Sequence, residues 1–69
     1  MMSARVAFRQ LKKNIEDFER DKENGTNDMS DFTFKCMCVY PLVEIIESHL
    51  NDLTDEEKEE FKKITRNYQ

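Results

Sequence analysis

The sequence predicts an all-α fold, a small three-helix up-down-up bundle whose second helix is kinked at Pro41. Apolar residues recur at three- and four-residue steps in three separate stretches. Each stretch has helix punctuation at an end: Gly25 after the first, Ser30 before the second, and Thr54 with Glu57 before the third. One Gly and one Pro in 69 residues leave little loop-forming material. The expected organisation is a single helical domain over 1–69, with helices at about 3–22, 30–51 and 54–68.

In the first stretch Ala4, Phe8, Leu11, Ile15 and Phe18 step by four, three, four and three, which lays them on one face of a helix. Arg, Lys, Gln and Glu, all good helix formers, fill the remaining positions. Asn24-Gly25 ends the stretch, and glycine just past a helix suits a left-handed cap. Asn24-Gly25-Thr26 also matches a glycosylation acceptor. The opening MMSARVAFRQLKK lacks the apolar run of a secretory signal, so the triplet is read as a turn.

Ser30 can cap the second stretch. Phe34, Cys38, Leu42, Ile45 and Ile46 form its expected core stripe, with His49, Leu50 and Leu53 continuing the spacing. Pro41 removes one hydrogen bond and crowds the carbonyl four residues back, at a cost of about 3 kcal/mol in a helix interior. The competing reading is a strand from Phe32 to Tyr40, whose apolar residues alternate with Thr33, Lys35 and Met37. Nothing else in the chain reads as a strand, so that reading needs a second copy to pair with, and the kinked helix is preferred.

The third stretch opens with Thr54 and, three residues on, Glu57, the spacing of a capping box. Phe61, Ile64 and Tyr68 mark a narrow apolar stripe. Acids crowd the first turns, and Lys62, Lys63 and Arg66 crowd the last, an order that complements the helix dipole. Helix 1 has the opposite order, with Arg5, Arg9, Lys12 and Lys13 before Glu16, Asp17, Glu19 and Asp21. In an up-down-up bundle the basic start of helix 1 then lies beside Asp55, Glu56, Glu59 and Glu60, and its acidic end near Lys62, Lys63 and Arg66. Such exposed pairs are worth about 0–1 kcal/mol each and set orientation more than stability.

Little in the sequence points to chemistry. No catalytic constellation is present and no enzyme activity is expected; His49 has no spaced nucleophile or acid beside it. Cys36 and Cys38 are one residue apart, closer than the usual two to four residues between zinc-binding cysteines. On a helix they point roughly 200° apart, so they are expected to be buried small apolar residues and free thiols. No metal and no cofactor is expected. No apolar run reaches the length of a membrane span, and the default compartment is the cytoplasm.

Function is sought instead in residues 32–46, FTFKCMCVYPLVEII, which hold most of the apolar material of an otherwise densely charged chain. Helix 2 is apolar nearly all round, and the narrow stripes of its neighbours cannot cover it. Met37, Tyr40, Val43 and Phe32 are therefore the candidate partner-binding residues, for a second copy or for another protein. The expected function is a small regulatory protein–protein interaction module, an adaptor or inhibitor. By composition alone it has the profile of small regulators that include phage and viral accessory proteins. The alternative is a nucleic-acid-associated regulator using Arg5, Arg9, Lys12 and Lys13. That is disfavoured by a net charge of −4, because most of the surface would repel phosphate.

Overall fold

The computed structural model describes residues 2–68. Its elements are α1 (Ala4–Asn24), α2 (Asp31–Phe34), a π-helical turn (Lys35–Val39), α3 (Tyr40–Ser48), a 3-10 turn (Leu50–Asp52) and α4 (Asp55–Asn67). α2, the π turn and α3 follow one another without a break and are called the middle helix below. The fold is all-α, a small helical bundle, with no strand among the described residues, so the strand alternative for residues 32–40 is set aside.

The helix ends form as local chemistry dictates. Ser3 caps α1 by accepting from the Val6 N–H at 3.2 Å. At the other end Gly25 has φ 73, and the N–H groups of Gly25 and Thr26 donate to the carbonyls of Lys22 (3.3 Å) and Asp21 (2.9 Å). That pair of bonds is a Schellman closure, which needs a left-handed residue and hence glycine. The Asn27 side chain ties down the connection, accepting from the Met29 N–H at 3.1 Å and donating to the Met29 carbonyl at 2.8 Å. Ser30 accepts from the Thr33 N–H at 3.2 Å and opens α2. Thr54 and Glu57 make the reciprocal capping box, at 2.9 and 3.2 Å.

The middle helix departs from the sequence expectation in the turn before Pro41. There the Tyr40 N–H donates to the carbonyl five residues back, on Lys35, which defines the π turn. The wider turn takes in one extra residue and rotates the helix's later faces. Val39, outside the stripe that regular α spacing predicts, is consequently only 1% exposed, whereas Cys38, Leu42 and Ile45 are half-buried. The buried face runs Phe34, Val39, Ile46, in steps of five and seven. The helix also stops at Ser48 and not near Asn51, with His49 at φ −135 leading into the 3-10 turn.

The core is built around α1. Ala4, Ala7, Phe8 and Leu11 are fully buried, and Phe18 nearly so. Along the seam with the middle helix, contacts run Asn14 to Cys38, Phe18 to Phe34 and Lys22 to Asp31. Position numbers thus fall on one element as they rise on the other. Phe18 and Phe34 lie face to face, with centroids 3.9 Å apart and ring planes 2° apart. Between α1 and α4 both numbers rise together: Phe8 meets Phe61 edge-on at 6.4 Å, Lys12 pairs with Glu60 at 3.5 Å, and Tyr68 Oη donates to Glu19 Oε1 at 2.8 Å. Phe34 closes the end of the core, meeting Tyr68 edge-on at 5.9 Å.

Candidate interaction surface

Burial divides the middle helix lengthwise. Phe34, Val39 and Ile46 face the core, while Phe32 is 76% exposed, Met37 69% and Tyr40 40%. Cys36 is exposed as well and Cys38 is half-buried, so the expectation that both cysteines are buried is corrected. Cys36 stands between the exposed Phe32 and Tyr40 at four-residue spacing.

Between α3 and α4 the surface opens into a groove of about 680 Å³. Its floor is apolar, with Val39, Val43 and Phe61, and Tyr40, Leu50 and Tyr68 extend it. Glu44 and Glu47 line it from α3, and Lys58 and Lys62 from α4. Tyr40 Oη approaches the Tyr68 carbonyl oxygen at 3.4 Å near one end. The groove exists because α4 is short of large apolar side chains. Phe61 is its one buried residue and meets Phe8, while Ile64 is only partly buried against the core, so the angle between α4 and α3 is incompletely filled.

Of the residues expected to bind a partner, Tyr40 and Val43 line this groove, and Val43 is half-buried. Phe32 and Met37 do not line it; they stand exposed on the outer side of the same helix. Spacing could not locate the groove's charged residues, because Glu44, Glu47, Lys58 and Lys62 become neighbours only through the angle at which α4 docks.

A second feature missed in the sequence supports the surface from beneath. Asn14 Nδ2 donates to the Cys38 carbonyl oxygen at 3.1 Å, and Gln10 Nε2 donates to Asn14 Oδ1 at 2.7 Å. Asn14 lies three residues after Leu11 and four before Phe18, on the edge of the apolar face of α1. A polar side chain in that register was the available signal. Its amide supplies a partner where the π turn and Pro41, which has no N–H, disturb the backbone ladder.

The basic cluster of α1 is only partly free. Lys12 reaches Glu60 and lies 4.9 Å over the Phe8 ring, so it serves the fold. Arg5, Arg9 and Lys13 are exposed, with no ion pair among the described residues. The expected pairing of Lys62, Lys63 and Arg66 with the acidic end of α1 is not made. Lys62 reaches Glu59 on its own helix instead, and Glu19 accepts from Tyr68.

Two groups titrate away from their ordinary values. The Glu57 carboxyl is held below its usual range, chiefly by the Thr54 backbone N–H, with the cations Arg5 and Lys12 acting the same way. Tyr68 is pushed up to about 12, first by burial and then by its bond to the Glu19 carboxylate. His49 is exposed at a helix end, and among the described residues no group of three or more His, Cys, Asp or Glu is placed to hold a metal. Among the described residues no helix is long and apolar enough to cross a membrane. The chain matches no family of known proteins, no curated protein and no solved structure.

Proposed function

We propose that this chain is a small regulatory interaction module, an adaptor or inhibitor, that docks on another protein in the cytoplasm through the outer, apolar side of its middle helix. The observation that carries the reading is the exposure of Phe32 (76%) and Met37 (69%), with Tyr40 at 40%, on a helix that buries Phe34, Val39 and Ile46 in the core. Contiguous apolar surface on a small chain is costly in water and is characteristic of contact sites. Aromatic residues and Met are enriched at such sites because they give large contact area with few rotamers to freeze.

The test places a benzophenone side chain at Met37 and irradiates the protein in extract of its native cell. The expected result is a discrete covalent adduct that Tyr40→Asp removes while helicity is unchanged. An adduct no stronger than that from a cross-linker at exposed Arg20 would refute the docking face.

One observation favours a second reading, in which the same module contacts nucleic acid. Arg5, Arg9 and Lys13 share one exposed side of α1 and make no ion pair among the described residues. Three cations predict weak binding that falls steeply with added salt. The absence of any duplex or single-strand shift at low salt rejects it.

A further inference from the structure

We propose that the groove between α3 and α4 seats one amphipathic helix of the partner protein, with cations along the edge facing α3 and anions along the edge facing α4. The proposal rests on the reading of the middle helix as a docking element and extends it from the outer side to the adjoining groove, with Tyr40 shared by both.

The shape fits a helix. The floor is apolar, with Val43 from α3 and Phe61 from α4, and the volume is about 680 Å³. α3 is nine residues long, roughly 13 Å, which takes anchors at i, i+3 or i+4, and i+7 of a docked helix. The charges fit a two-edged one. Glu44 and Glu47 stand three apart on one wall, and Lys58 and Lys62 four apart on the other. No ion pair among the described residues joins the walls. Lys62 is occupied only by Glu59, at 3.6 Å, in a pair exposed by 66% and 71% and so easily exchanged.

Opposite charges on two lips above an apolar floor repeat the edge pattern by which helices in coiled coils select partners and direction. A ligand of one sign, such as a fatty acid or a nucleic-acid strand, would be attracted by one wall and repelled by the other. A helix with split edges satisfies both.

The full chain, isotope-labelled for NMR, is titrated with a synthetic amphipathic peptide carrying Leu at i, i+3 and i+7, Lys on one edge and Glu on the other. Such a peptide can lie either way round, so the control is a peptide of equal composition with Lys and Glu mixed on both edges. The expected result is amide shifts at Val43, Glu47, Phe61 and Lys62 and an affinity about tenfold above the mixed peptide. The variant E44K/E47K changes exposed positions only, and circular dichroism checks its fold. It is expected to lose about tenfold for the two-edged peptide and to regain it with a peptide carrying Glu on both edges.

Equal affinities for all peptides overturn the proposal. Shifts confined to Phe32 and Met37 also overturn it while leaving the docking face intact, and loss of the Met37 cross-link tests that face separately. Shifts at Val43 and Phe61 that follow dilution of the protein alone put a second copy in the groove and overturn it too.

Discussion

The seam between α1 and the middle helix and the angle between the middle helix and α4 draw on similar residues and reach opposite outcomes. Five residues of α1 are buried, and along the first seam Phe18 stacks on Phe34 at 3.9 Å. Along the second, Phe61 alone is buried on α4, and a groove of about 680 Å³ remains beside it. α1 presents two fully buried small residues, Ala4 and Ala7, ahead of its large ones, Phe8, Leu11 and Phe18, and small residues let a neighbouring element come close. α4 has neither the small residues nor enough large ones. Its opening is secured by the capping box, and its docking by Phe61 and the two bonds of Tyr68. One side of the middle helix is thus committed to the fold and the other left available.

The comparison breaks most visibly if the closed seam is emptied. Phe18→Ala, which removes the ring stacked on Phe34, is expected to cost about 3–5 kcal/mol, comparable to all that a core of this size supplies, and so to unfold much of the population. Val43→Ala, on the open side, is expected to cost about 1 kcal/mol. Urea denaturation followed by circular dichroism measures both, and equal costs would mean that the two sides are packed alike.

The π turn gives the next largest effect. Deleting exposed Met37 restores regular α spacing between Phe34 and Val39 but returns Pro41 to an ordinary helix interior. The deletion is expected to cost up to about 3 kcal/mol in the Pro41 protein and much less once Pro41→Ala is added. If the two changes are additive, the turn is not an accommodation of the proline.

Asn14→Ala removes the amide that serves the Cys38 carbonyl from the closed seam. An expected loss of about 1–2 kcal/mol, with faster amide exchange across Lys35–Val39, separates this support from packing. Unchanged exchange would place the turn's stability elsewhere.

The smallest effects are in pH. Tyr68, with its pKa raised to about 12, stabilises the fold fully below the ordinary tyrosine value of 10.0, and that contribution is lost as pH rises through about 12. One phenolate absorbance step near pH 12 is expected, and Tyr68→Phe should remove it. Glu57 has the opposite sense. Its carboxyl is held low, so its contribution is present above the ordinary 4.5 and lost as pH falls through the folded value.

Much of this architecture was legible in the sequence, because helix ends and stripes are local. Ser3 to Phe18, the Gly25 cap, Ser30 and the Thr54–Glu57 box depend on residues within a few positions of each other. The exposure of Met37, Tyr40 and Phe32 was legible too, since it follows from counting apolar faces against the neighbours' stripes, but Val43, counted with them, is half-buried. The register after Lys35 was not. A single inserted residue in the π turn moves Val39 inward, and no spacing rule signals where the ladder will widen. The groove was not legible either, because its width depends on how one ring, Phe61, settles against Phe8.

The most direct test of the open side is paramagnetic broadening of methyl signals by a soluble gadolinium chelate, in dilute protein. Met37 is expected to broaden strongly and half-buried Val43 less so, while Leu11 and Ile46 stay sharp. If Met37 and Val43 were as protected as Ile46, the middle helix would have no free side, and the account of it as a docking element would be contradicted.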